Sequence, residues 1–225
     1  MNKKILSVIV ILVAVFFSFS VDALAAKKTI TVHYYGETRK PTYDYTYNYV
    51  GFDFNVMGTQ SISNSSAEST IKNSVIFIAH NHGSPGRQDL SNGKGISGTN
   101  GDSNYKAISS MSTAGNKPVY LAIYYGCNTG DSSSAYGNIL TYSINKFAKS
   151  AIAWTISTAV ADVNYWNRFL FEKAKNLDST IAQAITYADT KLAASSGVHN
   201  ASGMKNQRVT AGSFNFKFRD MAALL

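Results

Sequence analysis

Two short stretches hold the residue types that nucleophilic chemistry needs. "LAIYYGCNTG" (121–130) contains Cys127, the only cysteine in 225 residues. "IAHNHGSPG" (78–86) contains His80 and His82, two of the four histidines. A thiol becomes a useful nucleophile as a thiolate, or when a base takes its proton, and histidine is the usual base. His82 and Cys127 lie 45 residues apart, and each has a glycine beside it, Gly83 and Gly126. Glycine lets backbone approach a substrate closely and leaves N–H groups free for an oxyanion. Blander readings compete. A free cysteine is commonly buried and inert, and "HNH" could instead offer two metal ligands. A zinc or iron site needs a third and a fourth ligand, and His33 and His199 sit in no matching motif. His80 reads as a packed, hydrogen-bonded neighbour.

The elements that must carry these residues are legible from hydrophobic patterning. "VIFIA" (75–79), "PVYLAIYYG" (118–126) and "SAIAWTIS" (150–157) are continuous apolar runs, as expected of strands buried on both faces. "KTITVHYY" (28–35) alternates and predicts a first strand, and "SAESTIKNS" predicts a short helix. "TYDYTYNYVGFDFNV" (42–56) alternates aromatic residues and reads as an extended or hairpin excursion. Residues 83–104 are rich in Gly, Asn and Ser, a long loop or hairpin of the kind that carries function. Tyr105, Ile108 and Met111 fit a short helix. Helical spacing recurs over 139–148, over 163–170, and over 181–192, the last capped by Asp178 or Ser179. "SFNFKF" (213–218) alternates as a half-buried strand. Buried strands alternating with amphipathic helices predict an α/β fold with a mostly parallel sheet. Ligands bind beyond the carboxyl ends of such strands, where "HNHGSPG" and "GCNTG" both fall.

Composition bounds the setting. Lys3 and Lys4, an apolar run from Ile5 to Val21, and Ala23-Leu24-Ala25 have the form of a secretory signal cleaved before Ala26. Residues 26–225 then form one domain, secreted, with no membrane anchor after cleavage. The formal charge of +8 falls to +7 when Lys3, Lys4 and Asp22 are removed. Lysines and arginines are dispersed, which argues against a nucleic-acid partner and for a cationic surface suited to an anionic cell wall or membrane. One cysteine makes no intramolecular disulfide, so the core alone must hold the fold.

The two strand ends resemble the caspase-like clan of cysteine peptidases over roughly residues 70–190. "NHGSPG" (81–86) is similar to the "DHGxPG" block of legumains, with Asn81 where that family has Asp. "YYGCNTG" (124–130) is similar to the "ACxTG" block of CHAT-domain peptidases. The resemblance implies a caspase-like three-layer α/β/α sandwich and a polypeptide substrate. It further implies that Cys127 attacks the scissile carbonyl, that His82 acts as general acid–base, and that the backbone amides of Gly83 and Cys127 form the oxyanion hole. It implies no metal and no organic cofactor. Asp131 and Asp162 fall near the expected rim, where either could receive a basic P1 side chain. Two rival functions remain open at the level of sequence: a non-catalytic surface or partner-binding protein on the same fold, and a transpeptidase or amidase acting on cell-wall peptides.

Overall fold

The computed structural model describes residues 27–223; the proposed signal segment lies outside them. In chain order the strands are β1 (Thr29–Tyr34), β2 (Asn55–Thr59), β3 (Ile76–His80), β4 (Gly83–Ser84), β5 (Arg87–Ser91), β6 (Lys94–Ser97), β7 (Tyr105–Ala107), β8 (Leu121–Tyr124), β9 (Ser150–Trp154) and β10 (Arg208–Gly212). The helices are α1 (Lys40–Val50), α2 (Asn64–Lys72), α3 (Ile139–Lys146), α4 (Val160–Ala174), α5 (Ile181–Ala193), α6 (Ala201–Asn206) and α7 (Phe218–Ala222).

Six strands form the central sheet in the order β10-β9-β8-β3-β1-β2. All neighbours are parallel except β10, which runs antiparallel to β9. The inner strands β3, β8 and β9 are buried at every position. That burial explains why they read as unbroken apolar runs: both faces of a parallel sheet are covered. One face packs Ile30, Ile78 and Ile123 against residues of α1, α4 and α5, among them Val50, Trp166 and Ile185. The other packs Phe77, Ala122 and Tyr124 against α2, α3 and the small sheet, through Ile71, Leu140 and Leu90. The result is a three-layer α/β/α sandwich, as the sequence predicts.

Three local expectations are corrected. Residues 42–50 are helical, not extended. The alternating tyrosines obscured a second pattern, Thr42, Thr46 and Val50, four residues apart and fully buried. Pro41 opens the helix, a position where its missing N–H costs nothing. Residues 105–111 hold strand β7 and a single 3-10 turn over Ile108–Ser110. "SFNFKF" is no strand: Phe218 begins α7, and the carbonyls of Phe214 and Phe216 instead accept from the N–H groups of Ala182 and Ile181. Those are orphan donors at the start of α5, whose N-cap is Thr180 in a capping box with Gln183.

His33 on β1 is fully buried, and neither ring nitrogen has a hydrogen-bond partner of good geometry among the described residues. Burial pulls it from 6.5 down to about 4, opposed weakly by the Thr59 backbone. The folded state therefore favours the neutral ring. Its contribution is intact above pH 6.5 and is lost as the pH falls toward 4, at about 1.4 kcal/mol per unit. His80, buried and pulled well below 6.5, adds in the same direction. Urea unfolding of His33→Leu, measured from pH 7 to pH 5, should show a flatter loss of stability than the parent, by about 2 kcal/mol over that range.

Candidate active site

β3 and β8 are adjacent and parallel, with Ala79 opposite Tyr124 as their last paired residues. The Tyr125 N–H still donates to the Ala79 carbonyl, 2.8 Å. Counted onward from that pair, His82 and Cys127 each lie three residues beyond. Their neighbouring glycines are in backbone contact. A Cβ added to Gly83 would stand 2.8 Å from the Gly126 Cα, and one added to Gly126 would stand 2.8 Å from the Gly83 Cα. Real Cβ atoms do not approach that closely, so both positions require glycine. The two motif-bearing strand ends therefore meet on one rim.

Gln88 on β5 fixes that meeting, and sequence reasoning missed it. Its buried carboxamide accepts from the Gly126 N–H at 2.9 Å and donates to the His82 carbonyl at 3.1 Å. One side chain thus ties the thiol-bearing and imidazole-bearing turns together. Its only trace in the sequence is a polar residue two before Leu90, on the same inward-facing phase of "RQDLS". Asn81 supports the same turn: its Oδ1 accepts from the His82 N–H at 2.7 Å, and its Nδ2 donates to the Ser91 carbonyl at 3.2 Å. These are roles for an amide, which offers donor and acceptor together, whereas an ionised Asp offers only acceptors.

Beyond Cys127 the chain turns through Asn128 in the left-handed region, φ 56°, a conformation Asn tolerates. The Thr129 hydroxyl lies 2.9 Å from the Gly126 carbonyl and 3.2 Å from that of Tyr124. Cys127 is half-buried, with Sγ 4.0 Å from the Thr158 carbonyl, and His82 is exposed. The Cys127 N–H has no acceptor among the described residues. On the other strand, the Asp89 N–H bonds the His82 carbonyl at 3.0 Å. Gly83 and Gln88 are then the intervening, non-hydrogen-bonded pair, with the Gly83 N–H turned away from β5. Both amides expected to receive an oxyanion are thus uncommitted to the β5 ladder.

Two further charged residues approach the rim. Asp89 lies opposite His82 across the β4–β5 hairpin, on the same face. Burial raises its pKa, opposed by the Tyr105 hydroxyl, which donates to Oδ1 at 2.7 Å, and by the neighbouring His82. Arg39, in the turn after β1, is pulled down by burial, an effect Cys127 opposes. Its Nη1 donates to the Tyr35 carbonyl at 3.1 Å, while Nε is buried with no partner among the described residues.

The remaining sequence candidates lie elsewhere in the site's framework. Asp162 is 1 % exposed, and its oxygens accept from the backbone N–H groups of His199 and Asn200 at 2.8 and 2.9 Å. It staples the loop before α6, so it is already committed as a structural acceptor and presents no open face to a basic P1 side chain. Asp131 is half-buried after the Cys127 turn, and its N–H donates to the Asn128 carbonyl. His80 is buried, with Nδ1 2.7 Å from the Thr42 hydroxyl, edge-on to the Tyr125 ring. It is a packed neighbour, as the sequence suggests.

No family model and no curated protein matches the chain. Among solved structures, two of the Saccharomyces cerevisiae separase–securin complex resemble it, with TM-scores of 0.51 and 0.50 and identities of 12% and 13%. Each covers 84% of this chain. The fold is caspase-like. This chain spans only 12% of the matched separase chain, so the caspase-like likeness is one of architecture.

Gln88→Leu should cost about 3 kcal/mol in urea unfolding, because it strands a buried N–H and weakens the satisfaction of a carbonyl.

Proposed function

We propose that the protein is a secreted cysteine endopeptidase, with Cys127 as nucleophile and His82 as general acid–base. One observation carries the reading. The residues three beyond the last β3–β8 pair are an imidazole and a thiol, and the glycines beside them touch.

The chemistry follows from that arrangement. His82 takes the Cys127 thiol proton as the sulfur attacks the scissile carbonyl carbon, forming a C–S bond and pushing an electron pair onto oxygen. The N–H groups of Gly83 and Cys127 are the donors available to that oxyanion, where preorganised dipoles are worth most. As the intermediate collapses, the C–N bond breaks and protonated His82 gives its proton to the leaving amine. A thioester remains. His82 then takes a proton from water, whose oxygen displaces sulfur, and the peptide acid departs while the thiol is restored. No metal or organic cofactor enters these steps.

Cleavage of a P1-diverse peptide library, read by mass spectrometry, tests the proposal. Cys127→Ala and His82→Ala should each lower turnover by at least about a hundredfold while leaving the melting temperature near the parent's. Surviving activity in either variant would sink the dyad. Product masses also separate hydrolysis from ligation to an amine.

A further inference from the structure

Lysines dispersed along the sequence converge at the end of the sheet opposite the thiol. Lys28 immediately precedes β1, and Lys149 immediately precedes β9. Lys72 and Lys117 each lie four residues before β3 and β8. Because β9, β8, β3 and β1 are consecutive parallel neighbours, their N-terminal ends share one rim. There the four half-buried lysines surround a cleft of about 350 Å³ together with Asn73 and Asn116.

Among the described residues no carboxylate lines this cleft. Among the described residues only Lys72 of the four is compensated: it donates to Glu68 at 2.6 Å and to the Ser112 carbonyl at 2.6 Å. Lys149 lies 3.5 Å from the centre of the Tyr120 ring, a contact that positions the ammonium without cancelling its charge. Lys28 and Lys117 form no ion pair among the described residues. Three uncompensated positive charges therefore face one hollow. Lysines that serve only solubility gain nothing by gathering around a concavity, where they repel one another.

The donor set indicates the ligand. Ammonium groups act as point charges toward phosphate and need no planar fork, and the two carboxamides add neutral donors. A hollow of this size exceeds a single phosphate and admits a short chain of them. We propose that this rim binds a short linear polyphosphate, independently of the chemistry at Cys127.

Calorimetric titration of the purified protein with sodium tripolyphosphate tests this. Saturable binding is expected, weakening as salt is raised. The double variant Lys28→Ser/Lys117→Ser should bind about tenfold more weakly, and Lys117→Glu should weaken binding further. Lys94→Ser/Lys106→Ser, on the small sheet, and Cys127→Ala should both bind as the parent does. Melting temperatures show whether each variant is folded. The proposal is overturned by an absence of saturable heat, or by equal losses in the two double variants, which would mean diffuse charge. Retention on phosphatidylglycerol vesicles without tripolyphosphate binding would also overturn it, assigning the lysines to a membrane surface instead.

Discussion

The close approach of Gly83 and Gly126 is the constraint on which the rest of the site depends. β3 and β8 pair in register, and their last paired residues leave equal lengths of chain to reach the rim. Two turns carrying different side chains can converge there only if neither has a Cβ at the point of contact. Gln88 then converts proximity into a fixed arrangement, since its carboxamide satisfies an N–H of one turn and a carbonyl of the other. A buried amide with both ends used is a rigid spacer. Left unpaired, the same group would be a liability.

Beneath that contact lies an aromatic support. Tyr125, the residue before Gly126, stacks on Trp154 with ring centres 5.1 Å apart, and Trp154 meets Trp166 edge-on at 5.3 Å. Each polar handle is anchored. The Tyr125 hydroxyl donates to Asn167 at 3.1 Å, the Trp154 indole N–H to the Met204 carbonyl at 2.7 Å, and the Trp166 indole N–H to Asp189 at 2.8 Å. Large buried aromatics with satisfied polar tips hold one rotamer and contribute strongly to packing. The thiol turn is therefore mounted on a packed, hydrogen-bonded aromatic cluster, whereas the imidazole on the facing turn is exposed. In the proposed dyad, that asymmetry would suit an imidazole that must reach both a leaving group and water.

A parallel sheet also separates its two ends, because all strands of the run begin on one side and finish on the other. The carboxyl ends present the thiol, imidazole and uncommitted amides. The amino ends present lysines. The same topology thus gives one sheet two chemically different rims, on which separate binding events would not compete for space.

Much of this was readable from residue order. The apolar runs 75–79, 118–126 and 150–157 each became a buried parallel strand, because a strand covered on both faces admits no polar alternation. The sequence also determined that a thiol and an imidazole follow two such runs, each beside glycine. It misdescribed 42–50, where tyrosines alternate with period two while the buried threonines repeat every four residues, and only docking against the sheet and α4 shows which period is used. Gln88, Asp89 and Arg39 left no motif, since their partners are distant along the chain: a backbone amide 38 residues away for Gln88 and a thiol reached only through sheet topology for Arg39. The gathering of Lys28, Lys72, Lys117 and Lys149 is likewise invisible until strand order brings four distant N-terminal ends together. Local patterning decided what each strand carries; the order and register of the sheet decided which of those cargoes meet.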